Sequence, residues 1–193
     1  MRLSRIAFAG ALFLAAMTGG ASAQSGAERL TIELKDGPVV IELRPDVAPK
    51  HVERIKALAA AGEYDNVAFH RVIEGFMAQT GDVQYGDMED GFQPQAAGTG
   101  GSSQPDLPAE FSDTPFGRGT VGMARAQDPN SANSQFFITF GDAGFLNGQY
   151  TVVGEVESGM ELVDNIKKGD QADNGTVTDP DRMIKVRIAA DNT

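Results

Sequence analysis

The stretch "RLTIELKDGPVVIELRPD" (29–46) constrains the fold more than any other segment. Leu30, Ile32 and Leu34 alternate with polar residues, as do Val39, Ile41 and Leu43, around Asp36-Gly37. Period-two alternation on both sides of an Asp-Gly turn is a strong short-range hairpin signal. One face of each strand is therefore expected to be buried and the other wet.

The period then changes. In "APKHVERIKALAAAGEY" (48–64), Val52, Ile55, Leu58 and Ala59 fall on one side of a helix, with Lys50, Glu53, Arg54 and Lys56 largely outside it. Pro49 suits the first turn and Gly62 the C-terminal cap. His51 is expected on the charged, solvated side. Strand character returns in "GTVGMARA" (119–126), "SQFFITF" (134–140), "QYTVVGEV" (149–156) and "RMIKVRIAA" (182–190). Met160, Leu162, Val163 and Ile166 predict a short second helix. Residues 81–108 are rich in Gly, Gln, Ser and Pro and lack periodicity, the mark of a functional or disordered loop. Many short strands and two helices imply a mainly β fold, a barrel or sandwich with helices covering its ends.

Arg2 and Arg5, an apolar run from Ile6 to Met17, and small residues at Ala21 and Ala23 form the pattern of a secretory signal peptide over 1–23. The apolar run is shorter than the roughly 20 residues that span a bilayer. The remainder, 24–193, has the length of one domain with a sizeable core. The chain carries a charge of −11, and the 1–23 segment holds two arginines and no acid, so the mature chain stands at −13. Such acidity disfavours nucleic acid and anionic membranes as partners. The absence of cysteine excludes a disulfide framework, a lipidated cysteine and a thiolate metal site. No exposed apolar helix or heptad calls for a partner subunit, so a monomer is expected.

The inventory also excludes chemistries. His51 and His70 are the only histidines and there is no G-x-S-x-G elbow, so a Ser-His-Asp hydrolase and a zinc site are disfavoured. "GDMEDG" (86–91) lacks the alternating ligand order of a calcium loop, and "GTGG" (98–101) lacks the lysine of a phosphate loop. Reactions that break no covalent bond remain. Rotation about a prolyl bond is one, because its barrier is amide resonance. It needs an apolar pocket for the ring, one fixed strong donor and a polar residue to orient that donor.

"FHRVIEGFMAQTGD" (69–82) and "MARAQDPNSANSQFFITF" (123–140) closely resemble the cyclophilins, the peptidyl-prolyl cis–trans isomerases whose pattern is F-H-R-x-I-x-G-F-M-x-Q-x-G-D followed by M-A and S-Q-F-F-I. The resemblance runs from about Leu30 to Ile188 and includes "FLNGQYTVVGEV" (145–156). It implies a closed eight-stranded antiparallel barrel capped by two helices. It implies catalytic roles for Arg71, for Gln79 as its orienting partner, and for Phe76 and Phe137 in the proline pocket. Met77 and Leu146 would complete that pocket, while Ala124, Arg125, Gln135, Phe145 and Tyr150 would line the substrate groove. His70 would support the arginine and Phe136 would be core.

Three positions depart from familiar members: Phe145 stands where many have tryptophan, Tyr150 where many have histidine, and Arg125 where asparagine is common. The first implies weak cyclosporin binding. The expected activity is cofactor-free isomerisation of X-Pro bonds in unfolded or partly folded exported proteins, in the periplasm if the source is Gram-negative and otherwise secreted. The alternative is a proline-peptide-binding or chaperone module that uses the same groove without turnover.

Overall fold

The computed structural model describes residues 28–189, so the expected signal peptide lies outside the described residues. Eight strands form one antiparallel sheet: β1 (Arg29–Leu34), β2 (Gly37–Leu43), β3 (Arg71–Ile73), β4 (Met77–Thr80), β5 (Thr120–Met123), β6 (Phe136–Thr139), β7 (Val152–Ser158) and β8 (Lys185–Ala189). Their order in space is β3-β4-β6-β5-β7-β2-β1-β8. Two α-helices, α1 (Pro49–Ala61) and α2 (Met160–Asp164), pack against it.

The first hairpin forms as its alternation dictates. Leu30, Ile32, Leu34, Val39, Ile41 and Leu43 are all buried. The register pairs Leu34 with Gly37, which places Lys35 and Asp36 in the two-residue turn and makes Gly37, at φ 137°, the first residue of β2. Helix α1 starts with Pro49 in its first turn and ends on Gly62 at φ 77°, the left-handed cap expected for that glycine.

The expected closure of the barrel is not found. Strands β3 and β8 are the two ends of the sheet and do not pair as a ladder. The reason is local. The outer edge of the three-residue β3 is already taken, since Val72 N–H donates to Gly175 O at 2.8 Å and Gly169 N–H donates to Val72 O at 2.8 Å. Isolated pairs, Ala68 with Arg182 and Arg71 with Thr176, bridge the gap instead. The molecule is therefore a half-barrel whose open side is covered by irregular chain.

His51 and Arg54 also depart from expectation. His51 is fully buried, its Nδ1 2.7 Å from Glu110 Oε2, and the backbone N–H groups of Lys50 and His51 donate to the same carboxylate. The first turn of a helix leaves N–H groups without intrahelical acceptors, and an acidic side chain is favoured there. Here that acid arrives from a loop 59 residues further along the chain. Arg54 is buried as well, donating to Pro105 O at 2.8 Å and Asn133 O at 3.4 Å. His51 and Arg54 thus hold loop chain at Glu110, Pro105 and Asn133, while Lys50 and Glu53 stay exposed as expected.

The stretch 81–108 contains no strand or helix of its own, yet it is pinned by one buried carboxylate. Asp82 accepts from Gln84 N and Tyr85 N through Oδ1, and from Gly98 N at 2.7 Å and Gly100 N at 2.9 Å through Oδ2. A Cβ at Gly100 would sit 2.5 Å from Asp82 Oδ1, so a residue without a side chain is needed for the backbone to approach the carboxylate. The loop is a wrapped, hydrogen-bonded wall beside β4.

Candidate active site

The sheet register builds the site. Across neighbouring strands Arg71 pairs with Gln79, Gln79 with Phe137, Phe137 with Gly122, and Gly122 with Val152. Directly paired residues point to the same face, so one row sets the arginine, its glutamine and the phenylalanine side by side. The neighbouring residues on β6 show the alternation. Phe136 turns inward, edge-on to Tyr64 at 5.6 Å, in the main core. Phe137 turns the other way, into a second cluster with Met77, Phe116, Leu146 and Val152.

A hollow of about 300 Å³ opens over this row. Its walls are Arg71, Phe76, Met77, Gln79, Ala124, Arg125, Phe137, Phe145, Leu146 and Tyr150. Ten of the eleven residues named from sequence as catalytic or substrate-binding thus meet at one place. The eleventh, Gln135, lines an adjoining, more polar hollow of about 510 Å³ that shares Gln79, Ala124 and Arg125 and is walled by Gly98 to Ser102.

The apolar floor is closely packed. Phe137 stacks on Phe116 at 5.8 Å and meets Tyr150 edge-on at 5.9 Å. Gly122 makes this possible, because a Cβ there would lie 2.6 Å from Phe116 Cε1 and 2.7 Å from Phe137 Cζ. At the rim Phe145 is 65% exposed and tilts against Phe76 at 5.3 Å. An exposed aromatic beside a buried apolar floor is what a ring-shaped ligand could slide under.

The polar side is a chain of hydrogen bonds. Arg71 Nη1 donates to Gln79 Oε1 at 3.2 Å, Gln79 Nε2 to Gln135 Oε1 at 2.9 Å, and Gln135 Nε2 to Gly100 O at 2.8 Å. Gln135 therefore works as a relay that fixes Gln79. The Ala124 N–H is taken by Gln135 O at 2.9 Å, which leaves its carbonyl and methyl for a groove contact. Arg71 is gripped a second time, by Asn174: Nε donates to its backbone oxygen and Nη2 to its Oδ1, each at 2.9 Å. Together these bonds use three of the five guanidinium N–H groups and leave one on each terminal nitrogen.

Partial burial lowers the Arg71 pKa from its ordinary value, with Tyr150 opposing the shift; an arginine nonetheless stays cationic. Among the described residues neither Arg71 nor Arg125 has a carboxylate within ion-pair distance, whereas Arg44, Arg118 and Arg187 each do. Arg125 instead lies 4.4 Å over the Tyr150 ring and donates to the carbonyls of Ala126 and Gln149. The groove of a strongly acidic chain thus presents two cations to its ligand. His70, buried beneath Gly98, has its pKa lowered by desolvation, which favours the neutral ring.

Phe116, Gly122 and Asn174 belong to the site without having been named from sequence. A glycine inside the strand-like "TVGM" (120–123) is a signal of close approach. Phe116 and Asn174 carry no such signal, since their partners lie far along the chain.

Known proteins agree with this geometry. The family described as cyclophilin type peptidyl-prolyl cis-trans isomerase/CLD matches residues 29–188. A protein of Brucella suis named probable peptidyl-prolyl cis-trans isomerase is 60% identical over 99% of this chain and 99% of its own length. Among solved structures, a Cryptosporidium parvum cyclophilin-type isomerase crystallised in the presence of the dipeptide Ala-Pro superposes with a TM-score of 0.68 at 27% identity, covering 84% of this chain and 99% of that one. A cyclophilin from Hirschia baltica shares the fold at a TM-score of 0.69 and 24% identity, covering 86% of this chain and 75% of that one. With its Arg71–Gln79–Phe137 row in place, the chain belongs to the cyclophilin-type peptidyl-prolyl cis–trans isomerases.

Proposed function

We propose that this isomerase turns over X-Pro bonds of unfolded or partly folded exported proteins, as a monomer, in the hollow beneath Phe145. The observation that carries the reading is the two-sided hold on Arg71, by Gln79 and Asn174, beside the Phe137 floor. The proline ring enters the apolar hollow and the guanidinium, with its two remaining N–H groups, donates to the prolyl nitrogen. Hydrogen bonding there favours a pyramidal nitrogen and weakens the resonance behind the barrier of roughly 18–20 kcal/mol. The interaction is stronger in the twisted state than in either planar one, which is the condition for catalysis. Each 1.4 kcal/mol or so removed gives about tenfold in rate, and no nucleophile, metal or cofactor takes part in the step.

With residues 1–23 as a cleaved signal and 24–193 as the isomerase domain, the enzyme is exported, to the periplasm if the source is Gram-negative and otherwise secreted. Two measurements test the reading. A protease-coupled assay on an X-Pro peptide, with Arg71→Ala beside the wild type, must show turnover that the substitution removes. Equal rates in both would leave a groove that binds without this arginine acting. Mass spectrometry of protein recovered outside the cytoplasm must give an N-terminus at Gln24, and a mature form retaining Met1 would overturn export by cleavage.

A further inference from the structure

Arg71 reaches the rim of the hollow at the end of a long flexible side chain. Gln79 holds only Nη1, at 3.2 Å. The Nε and Nη2 edge faces the other way, and both of its bonds go to one residue. Asn174 offers its backbone oxygen to Nε and its Oδ1 to Nη2, both at 2.9 Å.

The grip depends on an unusual backbone. Asn174 has φ 53° and ψ 27°, a left-handed conformation that asparagine tolerates better than most side chains. It is followed by Gly175 at φ 82°, where a Cβ would come within 2.4 Å of Ile73 Cγ1. The turn is therefore seated directly on β3. Its seat is fixed by backbone bonds, since Gly175 N–H donates to Asp170 O at 2.7 Å and Gly175 O accepts from Val72 N–H at 2.8 Å. Both acceptors reach the guanidinium from a piece of chain anchored to the strand that carries Arg71 itself.

We infer that Asn174 is a positioning residue for the isomerase reaction, aiming the Arg71 donor from the edge opposite Gln79; the inference rests on Arg71 being the group that donates to the prolyl nitrogen. The chemistry of the acceptor matters as much as its place. An amide oxygen orients a guanidinium without neutralising it, whereas a carboxylate would form an ion pair and compete with the substrate for the cation. Asparagine supplies both the left-handed turn and a neutral acceptor.

Asn174→Gly tests this. Glycine keeps the left-handed backbone and the bond to Nε, and deletes only Oδ1. We expect kcat on an X-Pro peptide to fall about two- to tenfold, the worth of one oriented hydrogen bond, with KM and melting temperature unchanged. In an Arg71→Lys background, which has no Nε–Nη2 edge to hold, the same substitution should change nothing further. Wild-type kcat in Asn174→Gly would overturn the inference, and so would an equal loss in both backgrounds, which would make the turn a general structural support. If Arg71→Lys itself turned over like the wild type, the role of Arg71 would fall and this inference with it. Loss in Arg71→Lys without loss in Asn174→Gly would remove the positioning role alone.

Discussion

Arg71 and Gln79 are direct cross-strand partners on β3 and β4, and the 3.2 Å bond from Nη1 to Oε1 runs along that pairing. Their alignment is a property of the register, so a slip of one residue between the two strands would put the side chains on opposite faces. The strands thus do for the arginine what a flexible side chain cannot do alone. Arg71→Lys should keep the fold and lose about ten- to a hundredfold in kcat/KM, the range for one charged, oriented hydrogen bond. Lysine conserves charge but presents a mobile ammonium in place of a planar fork. Circular dichroism and melting temperature serve as fold controls, and wild-type turnover in a folded Arg71→Lys protein would show that orientation is irrelevant.

Phe145 is the most exposed aromatic among those at the groove, 65% exposed and in contact with Phe76 at 5.3 Å. Compared with tryptophan it offers less apolar area and no indole N–H. Cyclosporin should therefore inhibit the wild type weakly and Phe145→Trp more strongly. Inhibition curves for the two proteins decide it, since equally tight inhibition of both would show that another position controls the drug.

The parts of this molecule that were legible in its sequence are those set by neighbours along the chain. The β1–β2 hairpin followed from alternation, and α1 from its apolar spacing, Pro49 and Gly62. The site residues were legible for another reason, their match to a family pattern, and the hollow gathers ten of them. What stayed hidden was set across long separations. His51 reads as a charged-face residue until Glu110, 59 positions away, arrives at the helix start. The missing closure depends on Gly175 occupying the β3 edge, and Asn174 meets Arg71 across 103 positions. Periodicity carries no information about which loop returns to which edge.

Gly122 lies in the row between Phe137 and Val152, with space for no side chain. In Gly122→Ala the new methyl would meet Phe116 and Phe137 at 2.6 and 2.7 Å. Stacked rings cannot yield as a flexible chain end would. The substitution should cost about 1–3 kcal/mol through overpacking, and should lower kcat/KM because Phe137 is pushed into the hollow. Thermal melts and turnover together check this; an unchanged protein on both counts would mean that the floor is softer than its packing implies.

The two buried histidines should shape the stability profile between pH 6.5 and 4.5. His51 is surrounded by Glu110, Arg54 and Lys50, and His70 by Asp82 and Arg71, yet for both the largest influence is burial, which lowers the pKa below the ordinary 6.5. Unfolding releases both to near that ordinary value. Between the folded and unfolded values the unfolded chain binds more protons, so stability rises with pH there. Well above pH 6.5 both forms are neutral and the histidines contribute no slope. As pH falls below 6.5 each protonates on unfolding and withdraws up to about 1.4 kcal/mol per pH unit. Glu110, its pKa lowered, adds its own loss only as pH falls below its ordinary 4.5. The melting temperature should accordingly be level well above pH 6.5 and fall as pH drops through 6.5 toward 4.5. In a His51→Gln/His70→Gln double variant that segment should flatten, whatever the starting stability. A wild-type melting temperature that holds steady down to pH 4.5 would mean that these buried rings accept protons in the folded state.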